Sequence, residues 1–224
     1  MKAEDLYVGE RGAHYFAQRA ANRTIENQRK RARFFCDFTQ SSHAVLDFGC
    51  GTGGVLATLD ASHRIGIEIS ESAVAEAQQV LDEVLSDLSL IRDASVDRII
   101  SFHAFEHVDS PRRILGEFQR ILKPDGAVRI LVPCEMPIFV RHHLGWQPND
   151  DMHLHSWTPL TLGNLLTVSG FDVQRAEMLP GSEGGRLGKL FREGSGIRRL
   201  VAYLKSLKSG QFHTAVTATK RRSG

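Results

Sequence analysis

The stretch "AVLDFGCGTGG", residues 44 to 54, limits the architecture more than any other part of the chain, because an apolar run passes directly into four glycines within six positions. A short apolar run closed by glycines reads as a buried strand ending in a tight turn, and "GVLATLD" reads as the helix that follows it. The same alternation continues. "RIGIEI" is a second strand, and Ser70 is placed as the N-cap of the helix "ESAVAEAQQVL". "DEVLS" is a weak third strand and "VDRIISF" a stronger fourth, after which Ser110-Pro111 opens the helix "PRRILGEFQRIL". "KPDG" stops that helix and "AVRILVP" is a fifth strand. Thr158-Pro159 opens "PLTLGNLLTVS", Gly170 supplies its left-handed stop, and "FDVQRAEML" and "FHTAVTATK" are the sixth and seventh strands. Upstream, residues 13 to 38 lack Pro and Gly and read as one or two helices. Strands alternating with helices predict an α/β, Rossmann-like, mostly parallel sheet with helices on both faces. In such sheets ligands bind beyond the carboxyl ends of the strands, so each loop after a strand is a candidate site wall.

The chain's 224 residues, 42% of them hydrophobic, suit a single domain spanning 1–224 with elaborations. Those elaborations are an N-terminal helical cap (1–43), a loop at 134–157 and a basic helical excursion at 181–210. Cys36, Cys50 and Cys134 show no metal-like CxxC spacing, which fits reduced thiols. No apolar run approaches the roughly 18 residues of a membrane span, and "MKAEDLYVGERG" lacks the apolar stretch of a signal peptide. A soluble, cytoplasmic protein is the expectation. Net charge is only +2, yet residues 181–224 hold ten Lys/Arg against two Glu. A basic region attracts nucleic acid, anionic lipid or a phosphorylated substrate, while its ordinary meaning is a solvated helix face. The cationic amphipathic helix in "SGIRRLVAYLKSLKSG" is expected to pack on the sheet, since it holds no Trp or Phe; peripheral membrane contact is the competing reading.

Glycines 49, 51 and 54 satisfy the GxGxxG spacing of a dinucleotide site, and glycines 49, 51 and 53 satisfy GxGxG, the loop of S-adenosylmethionine enzymes. Either loop lets a ligand approach the backbone at a helix N-terminus. Glu68, 19 positions beyond Gly49, ends the second strand where a carboxylate can accept both hydroxyls of an adenosine ribose. Both cofactor classes use this pair of features. Asp47 separates them: a carboxylate two residues before the first glycine repels a pyrophosphate, yet it can order the loop or receive the ammonium of a methionine moiety. Two further motifs are "HAFEHV" after the fourth strand and "LKPDGAVRILVP" leading into the fifth.

With these motifs in order, the chain resembles class I S-adenosylmethionine-dependent methyltransferases, in particular the small-molecule enzymes carrying "EHV" and "LKPGG". The match runs from about Val45 to Phe171 and is carried by "VLDFGCGTGG", "GIEIS", "VDRIISFHAFEHV", "EFQRILKPDGAVRILVP" and "HLHSWTPLTLGNLLTVSGF". Asp125 departs from the usual first glycine of the turn, and the region of strand three is short. The resemblance implies seven strands, the last antiparallel and slotted between the fifth and sixth. It also implies that Asp47, Gly49, Cys50 and Gly51 surround the methionine part of S-adenosylmethionine, that Glu68 takes the ribose, and that Ile69 lies on the adenine. Asp87 and Leu88 match the adenine-binding pair, with Asp93 as the fallback. His103 matches a residue touching the cofactor, while Glu106 and His107 match the substrate side.

Methyl transfer from a sulfonium needs alignment and desolvation more than a base, although an oxygen nucleophile profits from proton removal near neutral pH. His107 is the first candidate base and His103 the second. "HAFEH" also fits the HxxEH zinc-peptidase pattern, but that pattern needs one long helix and here follows an apolar strand. Some related O-methyltransferases hold a metal on ExxEH; with His103 in place of the first Glu, the sequence assigns no metal ligand. The segment "CEMPIFVRHHLGWQPNDDMHLHSWTP" should roof the site, so His142, His143, Trp146, His153 and His155 are candidate substrate contacts. Alternatively, "HLHSWTP" merely fixes the start of the next helix. Tyr15 and Arg19, one helical turn apart, are placed over the cofactor with Arg19 on its carboxylate, or else form an ordinary exposed face.

The expected function is methyl transfer from S-adenosylmethionine to a small-molecule acceptor, at oxygen before nitrogen or carbon. A nucleic-acid or lipid-linked acceptor is the alternative within that class; neither an Asn/Asp-Pro-Pro-Tyr motif nor an RNA-binding appendage is present, so no obligatory nucleic-acid partner is expected. An NAD-dependent oxidoreductase is the alternative class and predicts tolerance of Asp47→Asn. A non-catalytic subunit with the same fold is a third, opposed by the intact Asp47 and Glu68.

Overall fold

The computed structural model describes residues 7–18, 21, 23–134, 152–181 and 195–222. Seven strands form one sheet: β1 (Ala44–Phe48), β2 (His63–Ile67), β3 (Glu83–Leu85), β4 (Val96–Phe102), β5 (Leu122–Pro133), β6 (Phe171–Pro180) and β7 (Phe212–Lys220). Their spatial order is β3-β2-β1-β4-β5-β7-β6. Strands β1 to β5 run parallel, and β7 pairs antiparallel with both β5 and β6. The last strand therefore slots between the fifth and sixth, as the resemblance implied. The chain winds one way from β1 through β3 and crosses to the other side at β4, so the strand order switches beside β1.

Helices α1 (Gly9–Gln18), α2 (Ile25–Ala32), α3 (Gly54–Ala57), α4 (Glu71–Ala77), α5 (Pro111–Ile121), α6 (Pro159–Val168) and α7 (Gly196–Ser209) surround the sheet. Successive strand residues point to opposite faces, and an apolar cluster packs on each face. Leu46, Ile99, Val128, Ile130 and Val216 join Leu115 and Phe118 of α5 and Leu162 of α6 in one core. Val45, Ile100 and Leu131 point the other way, to Val55, Leu56 and the Ala32–Phe35 end of α2.

Local signals decided most element ends. Thr158 caps α6 with a capping box: its Oγ1 accepts from the Thr161 N–H at 3.1 Å, and its own N–H donates to Thr161 Oγ1 at 3.0 Å. Gly170 takes φ +88 after the helix, as its place required. Ser70 and Ser110 occupy the N-cap positions of α4 and α5, but neither side chain makes the capping hydrogen bond. At Ser70 the hydroxyl is engaged elsewhere: Ser70 Oγ lies 3.1 Å from Ser72 Oγ, while the Ser70 N–H donates to Glu68 Oε1 at 2.9 Å. "KPDG" does not lie wholly outside the sheet; β5 begins at Leu122, opposite Val96, and its register shifts before Ala127 meets Arg98. The N-terminal region is α1, then α2 and turns to Phe38, rather than one continuous run. The basic helix α7 is real, but it meets the body through Ala202 and Ser206 and turns its large apolar side chains outward.

Candidate active site

At the carboxyl ends of β1, β2 and β4 the structure opens into a cleft of about 1680 Å³. That exceeds the roughly 300–1,000 Å³ of a single-ligand pocket, so there is room for two molecules side by side. The glycine turn forms its floor. Gly49, Gly51 and Gly53 all have positive φ, +76, +54 and +78, whereas Gly54 does not. The spacing that carries the backbone requirement is thus GxGxG. Gly54 serves packing instead: a Cβ there would lie 2.7 Å from Gln28 Cγ of α2. At Gly49 a Cβ would lie 2.3 Å from the Cβ of Ala104, so this glycine also sets how closely the loop after β4 approaches. The N–H groups of Gly49 and Cys50 donate to Ile67 O at 2.9 and 3.0 Å, which locks the turn to the end of β2.

Two carboxylates stand in this floor with almost no solvent. Asp47 is 3% exposed, and burial, followed by repulsion from Glu68, pushes its pKa up to about 7. Glu68 is 8% exposed, and burial raises its pKa too, against the opposing effect of its hydrogen bonds. Its Oε2 accepts from Gly51 N–H at 2.9 Å, and its Oε1 from Ile69 and Ser70 N–H, both at 2.9 Å. Of about four lone-pair sites on a carboxylate, three are engaged. A buried acidic pair is costly unless a cation neutralises it, so the floor is built for a ligand with positive charge. The Cys50 thiol, buried beside both carboxylates, is pushed far above its usual range and stays neutral.

Further along the cleft, Asp87 N-caps the 3₁₀ turn Leu88–Leu90, its Oδ1 accepting from Ser89 N–H at 2.7 Å, and both Asp87 and Leu88 line the wall with Ile69. Asp93 does not serve as their substitute: it pairs with Arg120 at 2.5 Å, away from the cleft lining.

The "HAFEH" segment divides. His103 adopts φ +54, stacks on Phe102 and places Nε2 2.9 Å from Nδ1 of His213. Burial, then His213 and Arg31, hold its pKa well below the usual histidine range; burial and two arginines lower that of His213 to about 4. Both rings are neutral at physiological pH, one donating and one accepting. Farther along the same loop, His107 Nδ1 lies 2.8 Å from the Tyr7 hydroxyl, and its Nε2 lies 3.8 Å from Glu106 Oε1. His153 brings Nε2 within 4.0 Å of the same carboxylate oxygen. Among the described residues these three alone form a His/Glu cluster, their ligand atoms all within 4.8 Å of one another.

From the roof, His153 reaches the cleft but His155 does not. His155 donates from Nε2 to Val108 O at 2.9 Å, and its own N–H and that of Leu154 donate to Glu106 O. It is a splint between two loops rather than a substrate contact, and Trp157 beside it packs on the core. His142, His143, Trp146 and Arg19 lie outside the described residues. Tyr15 lines the cleft, edge-on to Tyr7 at 5.1 Å. Sequence reasoning missed Tyr7, Arg31 and His213. His213 was accessible from topology, because the start of an antiparallel last strand returns to the carboxyl edge, opposite Pro133. Arg31 stood unremarked inside the charge run "QRKRAR".

The model of the methyltransferase-domain family matches residues 15–176. The chain belongs to the class I S-adenosylmethionine-dependent methyltransferases. A probable S-adenosylmethionine-dependent methyltransferase of Mycolicibacterium smegmatis is 29% identical over 138 residues, 58% of this chain and 52% of that protein. Norajmaline N-methyltransferase of Rauvolfia serpentina is 28% identical over 129 residues, 51% of this chain and 44% of that protein. The match thus spans about half the length of these curated relatives. A solved S-adenosylmethionine-dependent methyltransferase from Archaeoglobus fulgidus shares the fold, with a TM-score of 0.65 at 22% identity over 92% of this chain and 99% of that one. The methyltransferase cofactor, S-adenosylmethionine, suits the floor of this cleft. The left-handed Gly51 leaves bare backbone facing Phe16, and the buried acids Asp47 and Glu68 call for a cation.

Proposed function

We propose that this methyltransferase moves a methyl group to an oxygen of a small-molecule acceptor, with His107 as the base. The observation that carries the reading is the buried Asp47–Glu68 pair on the GxGxG turn, whose negative charge a cationic ligand relieves in place of a proton. When bound, S-adenosylmethionine supplies an activated methyl on a sulfonium whose charge disappears on transfer. Asp47 takes the ammonium, and the backbone of Gly49, Cys50 and Gly51 receives the methionine part. Glu68 holds the ribose by exchanging at least one of its three backbone bonds, with Ile69, Asp87 and Leu88 around the adenine. Arg31, half-buried in the cleft wall, faces the carboxylate in the role that the sequence suggested for Arg19.

On the acceptor side, His107 Nδ1 donates to Tyr7, which leaves Nε2 as the proton acceptor. On methylation of an acceptor hydroxyl, its proton would pass to Nε2, and the Glu106 carboxylate 3.8 Å away would stabilise the imidazolium. His103 is the weaker candidate, because a proton on it would be buried beside Arg31. It serves instead with His213 as a fixed neutral wall. His153 positions the acceptor against Glu106. Similarity to a relative named for N-methylation keeps an amine acceptor as the second reading.

Titration calorimetry with S-adenosylhomocysteine and with NAD tests the assignment. Binding of the former alone is expected, weakened about 10–100-fold in Glu68→Ala as a charge-assisted hydrogen bond is lost. Unchanged affinity in that variant, or NAD binding, overturns it.

A further inference from the structure

Helix α7 docks opposite to an ordinary amphipathic helix. Its buried residues are Ala202 and Ser206, one turn apart. On the far side Ile197, Leu200, Leu204 and Leu207 keep between 42% and 57% of their surface in water, and at the flank Tyr203 keeps 40% while its ring packs edge-on against Phe212. At 100° per residue these five fall in an arc of about 120°. They are five of the twelve large apolar side chains exposed among the described residues, gathered on one 14-residue helix. Such a concentration marks a contact surface, not the scattered apolar exposure of any protein.

The charges say what it contacts. Lys208 borders one edge of the stripe and Arg199 lies beyond the other, Arg198 and Lys205 sit farther round toward the body, and α7 contains no acid. Beside the helix, a groove of about 770 Å³ against the β5–β7–β6 part of the sheet is lined by Arg33, Arg129, Arg175, Arg198 and Arg199, together with Leu200 and Tyr203 of the stripe. Its two acids, Asp37 and Glu177, are paired with Arg129 and Arg175, so the groove is net positive. A second copy of this face would bring like charges together. An apolar stripe flanked by cations on a helix without acids instead matches the plane of lipid headgroups, apolar side chains at the acyl boundary and cations at the phosphates.

We infer that α7 seats the protein on an anionic phospholipid surface. Lys205 and Gly210, at the same helix, reach the rim of the cleft. A seated molecule therefore holds that rim close to the lipid, which suits an acceptor drawn from the membrane; this consequence alone rests on the proposed methyl transfer.

The test is flotation of the full chain with phosphatidylcholine vesicles, with and without phosphatidylglycerol, at low and high salt. Wild type is expected to float with the anionic vesicles only, and less at high salt. The double variant Leu204→Glu/Leu207→Glu and the double variant Arg198→Glu/Arg199→Glu should each reduce binding about tenfold or more. Their melting curves and S-adenosylhomocysteine affinity should match wild type; if the leucine variant does not fold, the arginine variant decides. Wild type that ignores anionic vesicles, equal binding to neutral ones, or variants that bind like wild type overturn the inference. So does a wild-type dimer in light scattering that the leucine variant loses.

Discussion

Replacing Asp47 by Asn removes one charge from the cleft floor while keeping the side chain's shape, and its consequences differ with pH and with ligand. In the folded chain the Asp47 carboxyl titrates near 7 against 3.8 when exposed. A group whose folded pKa is raised stabilises the fold only while protonated. That contribution is complete below pH 3.8 and is lost as pH rises through about 7. A rise of that size corresponds to about 4 kcal/mol as an upper bound, or roughly 10 °C in Tm for a chain of this size. Ligand-free wild type should therefore lose stability between pH 4 and about 8, while Asp47→Asn loses only what Glu68 contributes and overtakes it at the alkaline end. Cofactor binding should move the opposite way. With the ammonium's partner gone, S-adenosylhomocysteine affinity at neutral pH should fall about 10–100-fold. Urea denaturation across the pH range, with calorimetry on the same two proteins, reads both effects. Parallel stability profiles, or an unchanged Kd, would refute the claim that a buried acid is held ready for a cation.

Gly49→Ala should cost about 3 kcal/mol or more, since the new methyl meets Ala104 at 2.3 Å in a left-handed backbone; Gly54→Ala, whose methyl meets the buried Gln28 side chain at 2.7 Å without a left-handed backbone, should cost about 1–3 kcal/mol in the same melts. His107→Gln should lower kcat about 100-fold or more with little change in KM, and Tyr7→Phe should shift the acid limb of the pH–rate profile, because its hydroxyl holds Nδ1. A chelator should leave turnover unchanged; abolished turnover restored by a divalent ion would make Glu106, His107 and His153 ligands rather than proton handlers. Thr158→Ala should cost about 1 kcal/mol in chemical denaturation through loss of the α6 cap.

Much of the fold was legible because it is written in local, repeating signals. The apolar run 44–48, the Ser-Pro and Thr-Pro helix openings and Gly170 each act through a few neighbouring residues, and the strand assignments at 96–102 and 212–220 match the structure residue for residue. At finer detail the local reading failed. The Ser70 hydroxyl meets Ser72 Oγ instead of capping α4, and α4 ended at Ala77 where its composition allowed four residues more.

The sequence by itself determined the strand–helix alternation, the glycine turn at 49–53 and the carboxylates at 47 and 68, since backbone geometry and charge type reside in single residues. Only the tertiary structure decided which glycines need a left-handed backbone, which histidines of 103, 107, 153, 155 and 213 face the cleft, and that the apolar side of α7 turns outward. Those outcomes depend on packing between residues up to about a hundred positions apart, such as Tyr7 with His107 and His103 with His213, and no local pattern encodes such contacts.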